Sequence, residues 1–142
     1  MNRIKALFTT LLSTTLVLAA IPASALIGTW STPVNVSDLG ERAEDVRLVV
    51  DSTGLVTAVW GQYAQAVSED DVEFIYASTS LNGGPWSEPV LISDDSLECK
   101  DPQAAVDGNG LVVAVWECYT GSDDVVQSSR SLNGGAWSSV ED

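Results

Sequence analysis

Few residue types in this chain can do chemistry. Twenty Asp and Glu stand against six Lys and Arg, and there is no His. With two Cys and no His, the chain cannot assemble the thiolate and imidazole ligands of a zinc centre. The acidic runs at residues 68–71 (SEDD) and 122–124 (SDD) lack the spaced Asp/Asn pattern of a calcium loop and read as solvated loops. Neither a metal nor a cofactor is expected. Tyr63 with Glu117, or another carboxylate pair, has the atoms for general acid/base work, but no spacing selects one pair. Arg42, Tyr63, Glu117 and Tyr119 lie in or beside the longest loops and are the candidates for holding a ligand.

Cys99 and Cys118 carry a more definite expectation. If the turn residues 107–110 (DGNG) close a symmetric hairpin, Val106 faces Leu111 and, counting outward, Cys99 faces Cys118. Directly opposed strand residues lie about 5.5 Å apart at Cα, which suits a disulfide. The pair is expected to be bridged.

The elements that must position these residues repeat. Aligned on itself with an offset of 56, the chain places Trp30 on Trp86, Pro33 on Pro89, Asp51 on Asp107, Gly54 on Gly110 and Trp60 on Trp116. Further along the offset falls to 51, and Ser80, Asn82, Gly84 and Trp86 map on Ser131, Asn133, Gly135 and Trp137. The repeat divides the chain into copies at about 30–85 and 86–136, with a third starting at 137. Ala43 and Gln62 occupy the two cysteine positions in the first copy.

The first copy contains strand-like runs at 46–50, 55–60 and 74–79, followed by 86–92, separated by Gly, Asn, Asp and Ser. In the connections DSTG, DGNG and LNGG, Gly supplies positive φ and the polar residue binds its own backbone. No segment after the N-terminal stretch has helical periodicity. The expected fold is all-β, built of four-stranded antiparallel blades in a propeller-like repeat. An eight-stranded sandwich is the other architecture of this size. Blade geometry puts the tight turns at one end. The long loops at 37–45, 61–71, 93–101 and 117–123 gather at the other, where a ligand site belongs.

The turn S-L-N-G-G-P-W-S (80–87), repeated from Ser131, resembles the Asp-box of sialidase-like (BNR-repeat) propellers, whose pattern is Ser-x-Asp-x-Gly-x-x-Trp. Asn82 and Asn133 stand where Asp is usual, and Trp86 and Trp137 come one residue early. The resemblance implies that these turns are structural, the polar side chain pinning the hairpin and the Trp packing beneath. Trp30, Trp86 and Trp137 are therefore expected in the core, as are Trp60 and Trp116. Sialidases of that family clamp a carboxylate with three Arg and attack with a Tyr paired to a Glu. Beyond Arg3, this chain has only Arg42, Arg47 and Arg130, and Arg47 alone resembles a clamp residue. The resemblance thus implies a non-catalytic or truncated member.

The N-terminal 25 residues carry Arg3 and Lys5, an apolar stretch, and Ala23-Ser24-Ala25, the pattern of a secretory signal peptide cleaved after Ala25. The remaining 26–142 domain is expected to be secreted or periplasmic, with no membrane segment of its own. The formal charge of −14 becomes more negative still without Arg3 and Lys5, which excludes a nucleic-acid partner. Three readings remain open. The chain is a glycan- or protein-binding segment of a longer repeat protein with further blades, a two-blade lectin-like subunit that closes a ring as a homo-trimer, or a fragment of a sialidase-like glycoside hydrolase.

Overall fold

The computed structural model describes residues 31–37, 41–63 and 72–142. The signal-peptide segment, Trp30 and most of the 61–71 loop lie outside the described residues. All the strands belong to one unit, Pro33–Asp142.

Seven strands and no helix make up the described residues: β1 (Ala43–Val50), β2 (Leu55–Tyr63), β3 (Glu73–Leu81), β4 (Val90–Leu91), β5 (Glu98–Val106), β6 (Leu111–Tyr119) and β7 (Asp124–Leu132). They form two antiparallel sheets, β1-β2-β3-β4 and β5-β6-β7. Each is an up-and-down meander of consecutive strands, as in a propeller blade, and no strand crosses between sheets as a sandwich's Greek key would require.

The tight turns are not the symmetric loops expected. Val50 pairs with Val56 and Val106 with Val112, one residue off symmetry. Gly54 and Gly110, at φ 86° and 82°, add a left-handed residue after the turn, the three-residue hairpin with a Gly bulge. Asp51 and Asp107 hold these turns by accepting from the backbone N–H of Leu55 at 3.0 Å and of Leu111 at 2.8 Å. A second irregularity, between Glu44 and Arg47 in β1 and between Lys100 and Gln103 in β5, shifts the register back. Cys99 consequently does face Cys118, and the two are bridged, with a Cα separation of 4.1 Å, tighter than expected. Two offsetting bulges, not a symmetric loop, bring the thiols together.

The fourth strand also departs from expectation. Of 86–92 only Val90–Leu91 forms a strand, and Trp86 makes one bridge to Ser80. Ser87 donates its N–H to the carbonyl of Thr79, but the N–H of Thr79 is taken by the Ser87 hydroxyl. That hydroxyl replaces a ladder carbonyl, and Pro85 and Pro89 have no N–H to give. Ser138 repeats the arrangement on Arg130 beside β7, and Glu141 exchanges two backbone bonds with Ser128. These bonds mark a broken fourth strand in the second sheet too.

One core lies between the sheets. Strand alternation puts Val59, Ile75 and Ala77 on one face of the first sheet, and Ala114, Trp116 and Cys118 on the facing side of the second. Cys99 and Ile92 complete the cluster, and Trp137 packs at its margin. Trp60 and Trp116 are buried as expected. Trp86 is only half-buried: it stands at the sheet edge, where one side is covered, and so is not the core residue expected.

Candidate functional site

At the long-loop end of the first sheet, β1 and β2 bring three polar side chains into a closed triangle. Tyr63, the last residue of β2, donates its hydroxyl to Glu44 at 2.7 Å. Arg42, just before β1, pairs with the same carboxylate at 2.5 Å and lays its guanidinium 4.7 Å from the centre of the Tyr63 ring. Pairing with Tyr63, and then with Arg42, holds the Glu44 carboxyl below the usual range. The Tyr63 hydroxyl, donating to that carboxylate, is pushed up to about 12, so it stays protonated at neutral pH.

Behind the triangle lies Glu73, the ladder partner of Tyr63. It is buried, and its Oε1 has no hydrogen-bond partner. Burial, reinforced by the negative charges of Glu44, Asp45, Asp101 and Glu98, pushes its carboxyl up to about 7. Its side chain occupies the space above Gly61, where a Cβ would overlap the Glu73 carboxyl oxygen. Two of the neighbouring acids, Asp45 and Asp101, sit at the bulges of β1 and β5 with φ of 52° and 54°. Arg47 braces the first bulge through the carbonyls of Asp45 and Val46, which removes it from any clamp role. Arg130 is likewise engaged, with Glu141 at 2.9 Å.

The structure thus brings together Arg42 and Tyr63 but not the other two candidates. Glu117 and Tyr119 point from the outer face of β6 into solvent, and the Tyr119 hydroxyl donates to the carbonyl of Gly121 at 2.9 Å. Glu44, Gly61 and Glu73 are not singled out by sequence. A signal was present: the repeat sets Gly61 against Glu117, so the missing side chain marks where another group needs room.

The turn residues at the opposite end clasp one hairpin to the next. Asn82 and Asn133 adopt φ of 51°, and each donates its N–H to the carbonyl of Gly54 or Gly110. Their side chains lie where a Cβ on those glycines would be. The hydroxyls of Ser80 and Ser131 close the same turns on the carbonyls of Gly84 and Gly135, both at 2.7 Å.

Two cavities accompany these features. A groove of about 380 Å³ runs along the far face of the first sheet, floored by Ala58 and Trp60 and walled by Leu48, Val36 and Trp86. A larger wedge of about 730 Å³ opens between the outer edges of the two sheets. Among the described residues no group of acids, Cys or His could hold a metal ion, and no helix is long and apolar enough to cross a membrane. The disulfide fits an extracellular or periplasmic compartment.

No family model and no curated protein matches the chain. Among solved structures it is similar to a glycosyl hydrolase from Bacteroides ovatus, with a TM-score of 0.51 and 16% identity over 70% of this chain. The match spans 31% of that enzyme's chain. At this identity the likeness is one of fold.

Proposed function

We propose that the chain is an exported binding segment of a sialidase-like propeller and that it takes a glycan at the long-loop end of its first blade. The observation that carries this reading is the Arg42–Glu44–Tyr63 triangle. It offers a fixed guanidinium donor, an ionised carboxylate acceptor and an aromatic ring within one cluster, the groups that recognise a ring of hydroxyls. The glycosyl hydrolase neighbour supports a sugar-handling fold, and the disulfide suits export. Absence of catalysis rests on the same geometry. Tyr63 is held neutral by its bond to Glu44 and is a poor nucleophile.

The test is a titration of the 26–142 chain, by calorimetry or NMR, against neutral and sialylated oligosaccharides. Arg42→Ala is expected to weaken binding by about tenfold, as for loss of one charged hydrogen-bonding partner. Tyr119→Phe is expected to leave it unchanged. Binding that is indifferent to Arg42→Ala would overturn the site.

A second reading, a fragment of a glycoside hydrolase, draws on one specific observation. Glu44 is held ionised and Glu73 is raised to about 7, a base and an acid on either side of Tyr63. Release of sugar from aryl glycosides, lost in Glu73→Gln, would replace the binding reading with this one.

A further inference from the structure

The wedge of about 730 Å³ between the outer edges of the sheets shares no residue with the Arg42–Glu44–Tyr63 triangle. Both of its walls belong to this chain, one from residues 87–93 beside β3 and the other from residues 134–140 beside β7. These are the two broken fourth strands, where a serine hydroxyl, Ser87 on Thr79 and Ser138 on Arg130, stands in for a ladder carbonyl. A cavity of that size lies within the range of small-molecule sites, about 300–1,000 Å³.

Trp137 gives the wedge an aromatic wall. Its indole is half-buried, packing against the core cluster while also lining the wedge. Contact with the core holds the ring in place, so it forms a fixed apolar platform. On the opposite wall Val90 and Leu91 are 49% and 36% exposed. Several polar side chains here are engaged within the protein: the Ser93 hydroxyl accepts from the N–H of Ile75, and the Ser138 hydroxyl from that of Arg130. Glu88 and Ser139 differ. They stand on opposite walls, both are exposed, and among the described residues neither side chain has a hydrogen-bond or ion-pair partner. Glu88 offers acceptors alone, and Ser139 offers a donor and acceptors.

We propose that the wedge binds a neutral pyranose oligosaccharide, with one sugar ring laid on Trp137 and its hydroxyls on Glu88 and Ser139. A pyranose joins an apolar C–H face to a rim of hydroxyls. The wedge offers a counterpart to each, the indole with Val90 and Leu91 for the face, and the carboxylate with the hydroxyl for the rim. Charge then selects among sugars. Glu88 has no cation beside it and the chain carries a formal charge of −14, so a carboxylated sugar such as sialic acid is repelled where a neutral one is not. This subsite extends the glycan reading to a second place on the chain, and it stands or falls apart from the triangle.

NMR on the 26–142 chain, disulfide intact, can follow the indole N–H of Trp137, assigned as the signal missing from Trp137→Phe. The probes are β-linked trisaccharides of glucose, of galactose and of N-acetylglucosamine, with sialyllactose as the charged comparison. At least one neutral probe should move the Trp137 signal saturably, and sialyllactose should bind more weakly. Glu88→Ala should weaken that binding by about tenfold and Ser139→Ala by about threefold, as for loss of a charged and a neutral hydrogen-bonding partner. Both residues are exposed, so the circular dichroism spectra should not change. Arg42→Ala, which dismantles the triangle, should leave the Trp137 response as it was. That result would sustain this subsite even if the triangle proves to bind nothing. The proposal is overturned if none of the neutral probes moves the signal, or if neither Glu88→Ala nor Ser139→Ala weakens the response. It is also overturned if sialyllactose binds as tightly as the neutral sugars. A response lost in Arg42→Ala overturns it too, because the sugar would then be held at the triangle and only sensed at Trp137.

Discussion

The two sheets share strand order, turns and bulges, yet at the long-loop end they solve the same packing problem differently. In the first, Gln62 accepts from the buried Trp60 indole N–H at 3.0 Å. In the second, Cys118 occupies the Gln62 position and bonds to Cys99, and the Trp116 indole N–H is buried without a partner. One sheet keeps its hydrogen bond, and the other exchanges it for a covalent tie. Between Trp60 and Gln62, Gly61 yields its space to Glu73, while its counterpart Glu117 simply points to solvent. Reversed charges obey the same divide: Arg42 and Glu44 correspond to Glu98 and Lys100. The repeat therefore preserves the scaffold, and the end where loops gather carries the individuality.

Removing the covalent tie should have the largest effect. Cys99→Ala with Cys118→Ala is expected to cost about 3 kcal/mol in urea unfolding, as for a loop of this length. Pairing Cys99→Ala with Cys118→Gln instead should recover about 1 kcal/mol by giving Trp116 the acceptor that Trp60 has. If the two double variants are equally stable, the exchange between bond and bridge is wrong.

Next comes the contrast at Gly61. Gly61→Ala drives a methyl into the Glu73 carboxyl and should destabilise by roughly 2 kcal/mol, within the range for overpacking. At the equivalent position, Glu117→Ala should change stability by less than about 0.5 kcal/mol, as for a surface substitution. Equal effects in thermal unfolding would erase the distinction between the two sheets.

The smallest effect concerns pH. Glu73 binds its proton more tightly folded than unfolded, so its neutral form stabilises the fold fully below about pH 4.5, the ordinary value. That contribution is lost as pH rises through about 7. Glu73→Gln, which stays neutral, should flatten the fall in stability between pH 5 and 8, with a gain on the order of 1 kcal/mol at the alkaline end. A pH profile parallel to the wild type would show that Glu73 ionises without cost.

Much of this was legible locally. Asp51 and Asp107 with their glycines announced turns because a short acceptor and a residue tolerant of positive φ define that bend whatever surrounds it. Cys99 and Cys118 could be matched because ladder pairing counts outward from a turn, although the count succeeded only through two cancelling irregularities. Glu73 was not legible, since nothing within strand β3 says that the opposite residue lacks a side chain. Glu44 was hidden for a similar reason: it meets Tyr63 across nineteen positions in sequence. Trp86 and Trp137 read as core from residue type, yet their exposure depends on how far a neighbouring sheet reaches.

The sequence by itself determined the all-β class, the three long strands of each sheet and the turn chemistry, because alternation and backbone conformation are set by residues close along the chain. Only the tertiary structure decided which face of each sheet is buried, that Arg42, Glu44 and Tyr63 converge, and that Glu73 is enclosed. A strand's two faces differ in sequence, but which of them loses water depends on the sheet that packs against it.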